Sequence, residues 1–149
     1  MSEKKIIAVT GATGAQGGGL ARAILNDKNS SFAVRAITRN TNSDKAKELV
    51  KLGAEIVEAN LDNLDSLKKA FEGVYGAYCV TNFWEHYSPE KEGTQAQNMA
   101  LAAKHKNLKH VIWSTLEDTR KWIPLEDNRM PNFLLNSNRS NYPLNKHLR

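Results

Sequence analysis

The residues with the clearest chemical potential are Gly11-Ala12-Thr13-Gly14-Ala15-Gln16-Gly17, a G-x-x-G-x-x-G pattern. It follows a short β-rich run at residues 6–9 and opens a stretch with helical spacing at Leu20, Ala21, Ile24 and Leu25. In that strand–turn–helix context each glycine has its own task. Gly11 permits a tight turn off the strand, Gly14 lets a pyrophosphate approach the backbone, and Gly17 lets the helix pack close to the sheet. The free N–H groups and partial positive charge of the helix start then suit a diphosphate.

The second candidate is Arg39, which stands 22 residues beyond Gly17 in the run Thr38-Arg39-Asn40. Folds that prefer NAD place an Asp or Glu near this point, on the ribose 2′-hydroxyl. A carboxylate would repel a 2′-phosphate, whereas a guanidinium pairs with one through two charge-assisted hydrogen bonds. Arg39, with Lys45 near it in sequence, therefore predicts a preference for NADP(H).

These groups must be positioned by the elements around them. Strands are predicted at residues 6–9, 32–38, 55–59, 74–81 and 109–114. Helices are predicted at 15–26, from a cap at Ser43 or Asp44 to Leu52, from a cap at Asp62 or Asn63 to Phe71, and from Ser88-Pro89 to about residue 106. Gly53 and Gly73 read as helix stops. Strands alternating with helices imply an α/β fold, a doubly wound parallel sheet of Rossmann type with strand order 3-2-1-4-5, ending after strand five. Ligands of such sheets bind beyond the carboxyl ends of the strands. That rule selects Asn60-Leu61-Asp62 after strand three, beside an adenine, with Asp62 equally readable as a helix cap. It also selects Thr81-Asn82-Phe83 after strand four, on the nicotinamide side, and Ser114-Thr115 after strand five. Trp84 and Tyr87 are read as cover for a sheet edge, with the wall of a pocket as the alternative. Trp113 reads as a strand residue packed on a helix.

Composition narrows the class. A chain of 149 residues with 40% hydrophobic and 25% charged residues is ordinary for a globular domain. No apolar run reaches the roughly 18 residues of a membrane span, and nothing resembles a signal peptide. The expectation is a cytoplasmic or nuclear protein away from membranes. The single Cys79 forms no internal disulfide and reads as a buried apolar residue. His86, His105, His110 and His147 lack partners at metal-ligand spacing, and Ser114 lacks a nucleophile elbow, so no metal or hydrolase site is expected. All acidic residues lie at or before Asp127, while Arg129, Arg139, Lys146 and Arg149 follow it. The net charge of +5 thus belongs mostly to the tail, and nucleic-acid binding is not expected. Residues 1–127 are assigned to the nucleotide-binding domain. Residues 128–149, rich in Asn and holding Pro131 and Pro143, are read as an irregular tail.

At these residues the chain resembles the NmrA-like family of atypical short-chain dehydrogenases. The matching pieces are Gly11 through Gly18, Thr38-Arg39-Asn40, Gly53-Ala54-Glu55, Val80-Thr81-Asn82-Phe83-Trp84-Glu85 and Ser114-Thr115-Leu116-Glu117-Asp118. The resemblance covers roughly residues 4–131. It implies NADP(H) held by the glycine turn and Arg39, with Asn60 and Leu61 at the adenine and Thr81 to Phe83 at the nicotinamide. It also implies a redox sensor that acts through a regulatory protein partner. Asn60 stands where many relatives carry Asp, and Thr94 where relatives often carry Lys. The dehydrogenase pair Tyr-x-x-x-Lys is absent, since Tyr75, Tyr78, Tyr87 and Tyr142 have no Lys four residues on. In that pair the Tyr supplies a proton and the Lys lowers its pKa. The reading therefore assigns no catalytic residue and leans away from an enzyme. An NADP-dependent reductase and a truncated, inactive family member stand as its alternatives.

Overall fold

A computed structural model describes residues 3–115. The assigned tail at 128–149, like Leu116-Glu117-Asp118, lies outside the described residues. The chain runs β1 (Lys5–Val9), α1 (Ala15–Asn26), β2 (Phe32–Thr38), α2 (Asp44–Lys51), β3 (Glu55–Glu58), α3 (Leu64–Ala70), β4 (Gly76–Cys79), α4 (Phe83–His86), α5 (Pro89–His105) and β5 (His110–Trp113). The five strands are all parallel, in the order β3-β2-β1-β4-β5. This is the doubly wound Rossmann arrangement expected from the sequence.

The alternation of strand residues between the two faces creates two cores. On one face Val9, Val34, Ala36 and Leu49 pack with Ala21 beneath α1 and α2. On the other, Ala8, Ile37, Ala77 and Cys79 meet Leu67, Phe71, Met99 and Ala102 from α3, α5 and their flanks. Phe71, Leu67 and Met99 are completely buried. Each such side chain contributes roughly 1.5–3 kcal/mol through burial. Trp113, on β5, packs against this second cluster.

Helix starts follow the caps in the sequence. Ser43 Oγ accepts from the Ala46 amide, Asn63 Oδ1 from Ser66 and Ser88 Oγ from Lys91. The cap of α3 is thus Asn63, and Asp62 is free for another contact. The strand ends differ more. The run 74–81 yields a ladder only over Gly76–Cys79, because its pairing with β1 and β5 starts at Ile7↔Gly76 and Gly76↔His110. The one-turn α4 carries no periodic signal that would have revealed it.

Cys79 is fully buried on β4, and burial pushes its thiol up to about 12. The thiolate is the reactive form, so the folded protein is expected to resist thiol reagents at neutral pH. An Ellman assay should develop colour only when denaturant is added. Rapid labelling of native protein would contradict the burial.

Candidate dinucleotide site

The site forms where β1 ends and α1 begins. Gly11 has a φ of +59°, a left-handed conformation that side chains rarely adopt, and a Cβ there would sit 2.9 Å from Val80 Cγ1. The turn is closed by the Gly14 amide donating to Gly11 O at 2.9 Å. At Gly17 a Cβ would lie 2.5 Å from Gly11 O and 2.6 Å from Thr10 O. The helix therefore seats directly on the strand only because that residue is glycine.

The opening of α1 is bare. Gly14 is its cap residue and has no side chain to accept from the helix, and the first turn holds no acid. By contrast α2, α3 and α5 are each capped by Ser or Asn. The amides of Ala15, Gln16 and Gly17 precede the first i→i−4 bond, made by Gly18 to Gly14 at 3.0 Å. Orphan amides together with the positive end of the helix macrodipole favour an anion. The chemistry of this donor set fits a diphosphate.

Arg39 follows β2 at the same end of the sheet, with 64% of its side chain exposed. It donates to Glu85 Oε1 at 2.5 Å. This hydrogen bond holds the Glu85 carboxyl below the usual carboxylate range. Lys45 is exposed in the first turn of α2, the helix that follows β2.

The loop after β3 is folded on itself and onto α5. Asn60 Oδ1 accepts from the Asp62 amide at 2.9 Å, and Leu61 O accepts from Asn98 Nδ2 at 3.0 Å. Asp62 Oδ1 accepts from Gln95 Nε2 at 2.8 Å, with Lys91 Nζ 3.5 Å from its other oxygen. Those two donors, Gln95 foremost, hold its carboxyl below the usual range. Asp62 thus ties the β3 loop to α5.

After β4, Thr81 Oγ1 donates to Glu92 at 2.6 Å, and Asn82 begins α4. Phe83 is half-buried and meets the rings of Trp84, His86 and Tyr87 edge-to-face at centroid distances of 5.7, 6.1 and 6.0 Å. Trp84 and Tyr87 are each 65% exposed. Trp84 lies on α4 and Tyr87 ends it, just beyond β4, an interior strand of the sheet. Glycine turn, Arg39, β3 loop and β4 loop all gather at the carboxyl ends of the strands. An open groove of about 540 Å³ lies at the opposite end of the sheet, by Lys4, Lys5, Tyr75 and Lys109, and includes none of these residues.

Three features of the site were not read from the sequence. The first is the Arg39–Glu85 pair. The second is a bridge in which Tyr78 OH and Ser114 Oγ both donate to Gln16 Oε1, at 2.9 and 2.5 Å. It braces the opening of α1 against β4 and β5. The third is Thr10, fully buried, whose Oγ1 accepts from the Val80 amide at 2.9 Å and donates toward the carbonyls of Val80 and Tyr78 at 3.2 and 3.3 Å. Thr10→Val keeps the shape but leaves the Val80 amide without its acceptor. It is expected to cost about 1–3 kcal/mol in denaturant unfolding, with Thr10→Ser close to wild type. Equal stability of the valine variant would show that this hydroxyl does not matter. Among the described residues no group of three His, Cys, Asp or Glu side chains is placed to hold a metal ion. No described helix is long and apolar enough to cross a membrane.

Comparison with known proteins agrees with this geometry. The model of the NmrA-like family matches residues 3–132. The chain is 38% identical over 114 residues to the NmrA-like family domain-containing oxidoreductase FrzB of Cladobotryum sp, covering 74% of this chain and 33% of that protein. Among solved structures, NmrA, a negative transcriptional regulator, in complex with NADP superposes with a TM-score of 0.68 at 27% identity, over 83% of this chain and 37% of that one. The Citrobacter sp. triphenylmethane reductase complexed with NADP(H) superposes with a TM-score of 0.65 at 29% identity, over 87% and 42%. The chain spans about a quarter to a third of the length of the curated relatives it matches. Those relatives, from Cladobotryum, Aspergillus and Malbranchea, are named oxidoreductases. That finding overturns the sequence-based lean away from an enzyme, which rested on the resemblance to redox sensors and on the missing Tyr-x-x-x-Lys pair. With the family model matched over most of its length, this chain belongs to the NmrA-like family.

Proposed function

We propose that the described domain binds NADP(H) and serves an NADP-dependent oxidoreductase. The observation that carries this reading is the uncapped opening of α1 behind a glycine turn, with Arg39 at the end of the neighbouring strand. The amides of Ala15, Gln16 and Gly17 hold the pyrophosphate. Arg39, assisted by Lys45, pairs with the 2′-phosphate. Asn60, Leu61 and Asp62 border the adenine, and Thr81, Asn82 and Phe83 border the nicotinamide. Ala12 and Thr13 complete the turn under the diphosphate. The Gln16–Tyr78–Ser114 bridge keeps the α1 opening in register with the strands, so that the diphosphate and the nicotinamide pocket stay at a fixed spacing. When bound, the cofactor supplies or accepts a hydride at the nicotinamide. The oxidoreductase names of the relatives, and the NADP(H) in the two solved structures, support the reading.

The activity is tested by following the near-ultraviolet absorbance of NADPH with the purified protein and a panel of carbonyl and enone substrates. Substrate-dependent loss of NADPH is the expected result. Tight NADPH binding without turnover on any of them would count against the oxidoreductase reading.

A further inference from the structure

The Arg39–Glu85 contact joins parts of the site that sequence keeps 46 residues apart. Arg39 follows β2 and Glu85 lies on α4, after β4. In the sheet β1 stands between β2 and β4, and β1 runs into the glycine turn. The ion pair therefore reaches across the carboxyl end of β1, over the mouth of the candidate site. Its chemistry is that of the proposed ligand. Glu85 gives the guanidinium an ionised oxygen at 2.5 Å, the kind of partner a 2′-phosphate offers.

We propose that Glu85 is an internal competitor for the 2′-phosphate and so sets the NADP(H) selectivity of the site. The inference rests on Arg39 holding that phosphate. NADPH must exchange its phosphate for the Glu85 carboxylate, whereas NADH offers Arg39 nothing and leaves the pair in place. The dianionic phosphate wins, but at a discount equal to the strength of the pair. Exchange also unties α4 from β2. In that one-turn helix Phe83 meets the rings of Trp84 and Tyr87, and the helix ends at Tyr87 in a left-handed conformation with a φ of +51°. The His86 ring beside it accepts from the Ser88 amide through Nδ1 at 3.1 Å and keeps a buried Nε2 with no partner.

The test is a calorimetric titration of wild type, Glu85→Gln, Arg39→Ala and the double variant with NADPH and NADH. Arg39 is largely exposed and Glu85 partly so, and the discount is that of a surface ion pair. Glu85→Gln is expected to tighten NADPH about two- to fivefold, to leave NADH unchanged, and to give no gain on top of Arg39→Ala. Unchanged or weaker NADPH binding in Glu85→Gln, or an equal gain for both nucleotides, overturns the competition. If Arg39→Ala is selective for NADPH while Glu85→Gln does nothing, only this inference falls. If Arg39→Ala weakens both nucleotides equally, the assignment of the 2′-phosphate fails and the inference falls with it.

Discussion

Arg39→Ala is expected to weaken NADPH binding about 10- to 100-fold while changing NADH binding little. At this exposed site the guanidinium–phosphate contact as a whole, net of the Glu85 pair it replaces, contributes about 1.5–3 kcal/mol, and 1.4 kcal/mol is a factor of ten. Only NADPH carries that phosphate, so the loss is confined to it. The substitution also removes the partner of Glu85, yet with 64% of Arg39 and 42% of Glu85 exposed the pair adds at most about 1 kcal/mol to the fold. Stability should therefore stay near wild type. Arg39→Lys should fall between the two, since an ammonium keeps the charge and loses the planar fork. Paired titrations with both nucleotides check this, and equal losses would defeat the assignment.

Gly14→Val is expected to abolish binding of both nucleotides while leaving the protein folded. The backbone at Gly14 is extended, with φ −89° and ψ −176°, which valine adopts readily. The nearest atom to an added Cβ is the backbone Gly11 O at 3.2 Å, which must give by a few tenths of an ångström, against the more than half an ångström demanded at Gly17, so a melt of the variant accompanies the titration. Its bulk then stands at the helix opening, between the diphosphate and the amides. Losing two charge-assisted hydrogen bonds costs more than about 3 kcal/mol, or over roughly a hundredfold in affinity. Gly17→Ala is the contrasting control. Its methyl group meets two backbone oxygens at 2.5 and 2.6 Å, which cannot move aside as a side chain would. That variant should lose stability by 1–3 kcal/mol or more through overpacking, visible as a lower melting temperature. A Gly14→Val protein that melts normally and still binds NADPH would show the turn to be structural alone.

What the sequence revealed and what it hid follows from the range of the interactions. Strand order could be read because buried parallel strands are apolar runs between helices with their own caps, such as Ser43, Asn63 and Ser88. The glycine turn could be read because its three glycines are local in sequence. The Arg39–Glu85 pair, the Gln16–Ser114 contact and the Thr10–Val80 bond join residues separated by 46, 98 and 70 positions. No periodicity or capping rule encodes such pairs; they exist only once the sheet has brought the strand ends together. The end of β4 was misjudged for a related reason, since a ladder stops where its neighbours stop and not where β propensity does. The leaning against an enzyme failed differently. The absence of Tyr-x-x-x-Lys removes one way of supplying a proton, and says nothing about the others.

The most direct test is calorimetry of the purified chain with each coenzyme, its folding checked beforehand by a cooperative melt. The account predicts saturable heat with NADPH at one molecule per chain and weaker binding of NADH. A well-folded sample that gives no heat with either coenzyme, or binds the two equally, would contradict a diphosphate at the start of α1 and a phosphorylated ribose at Arg39.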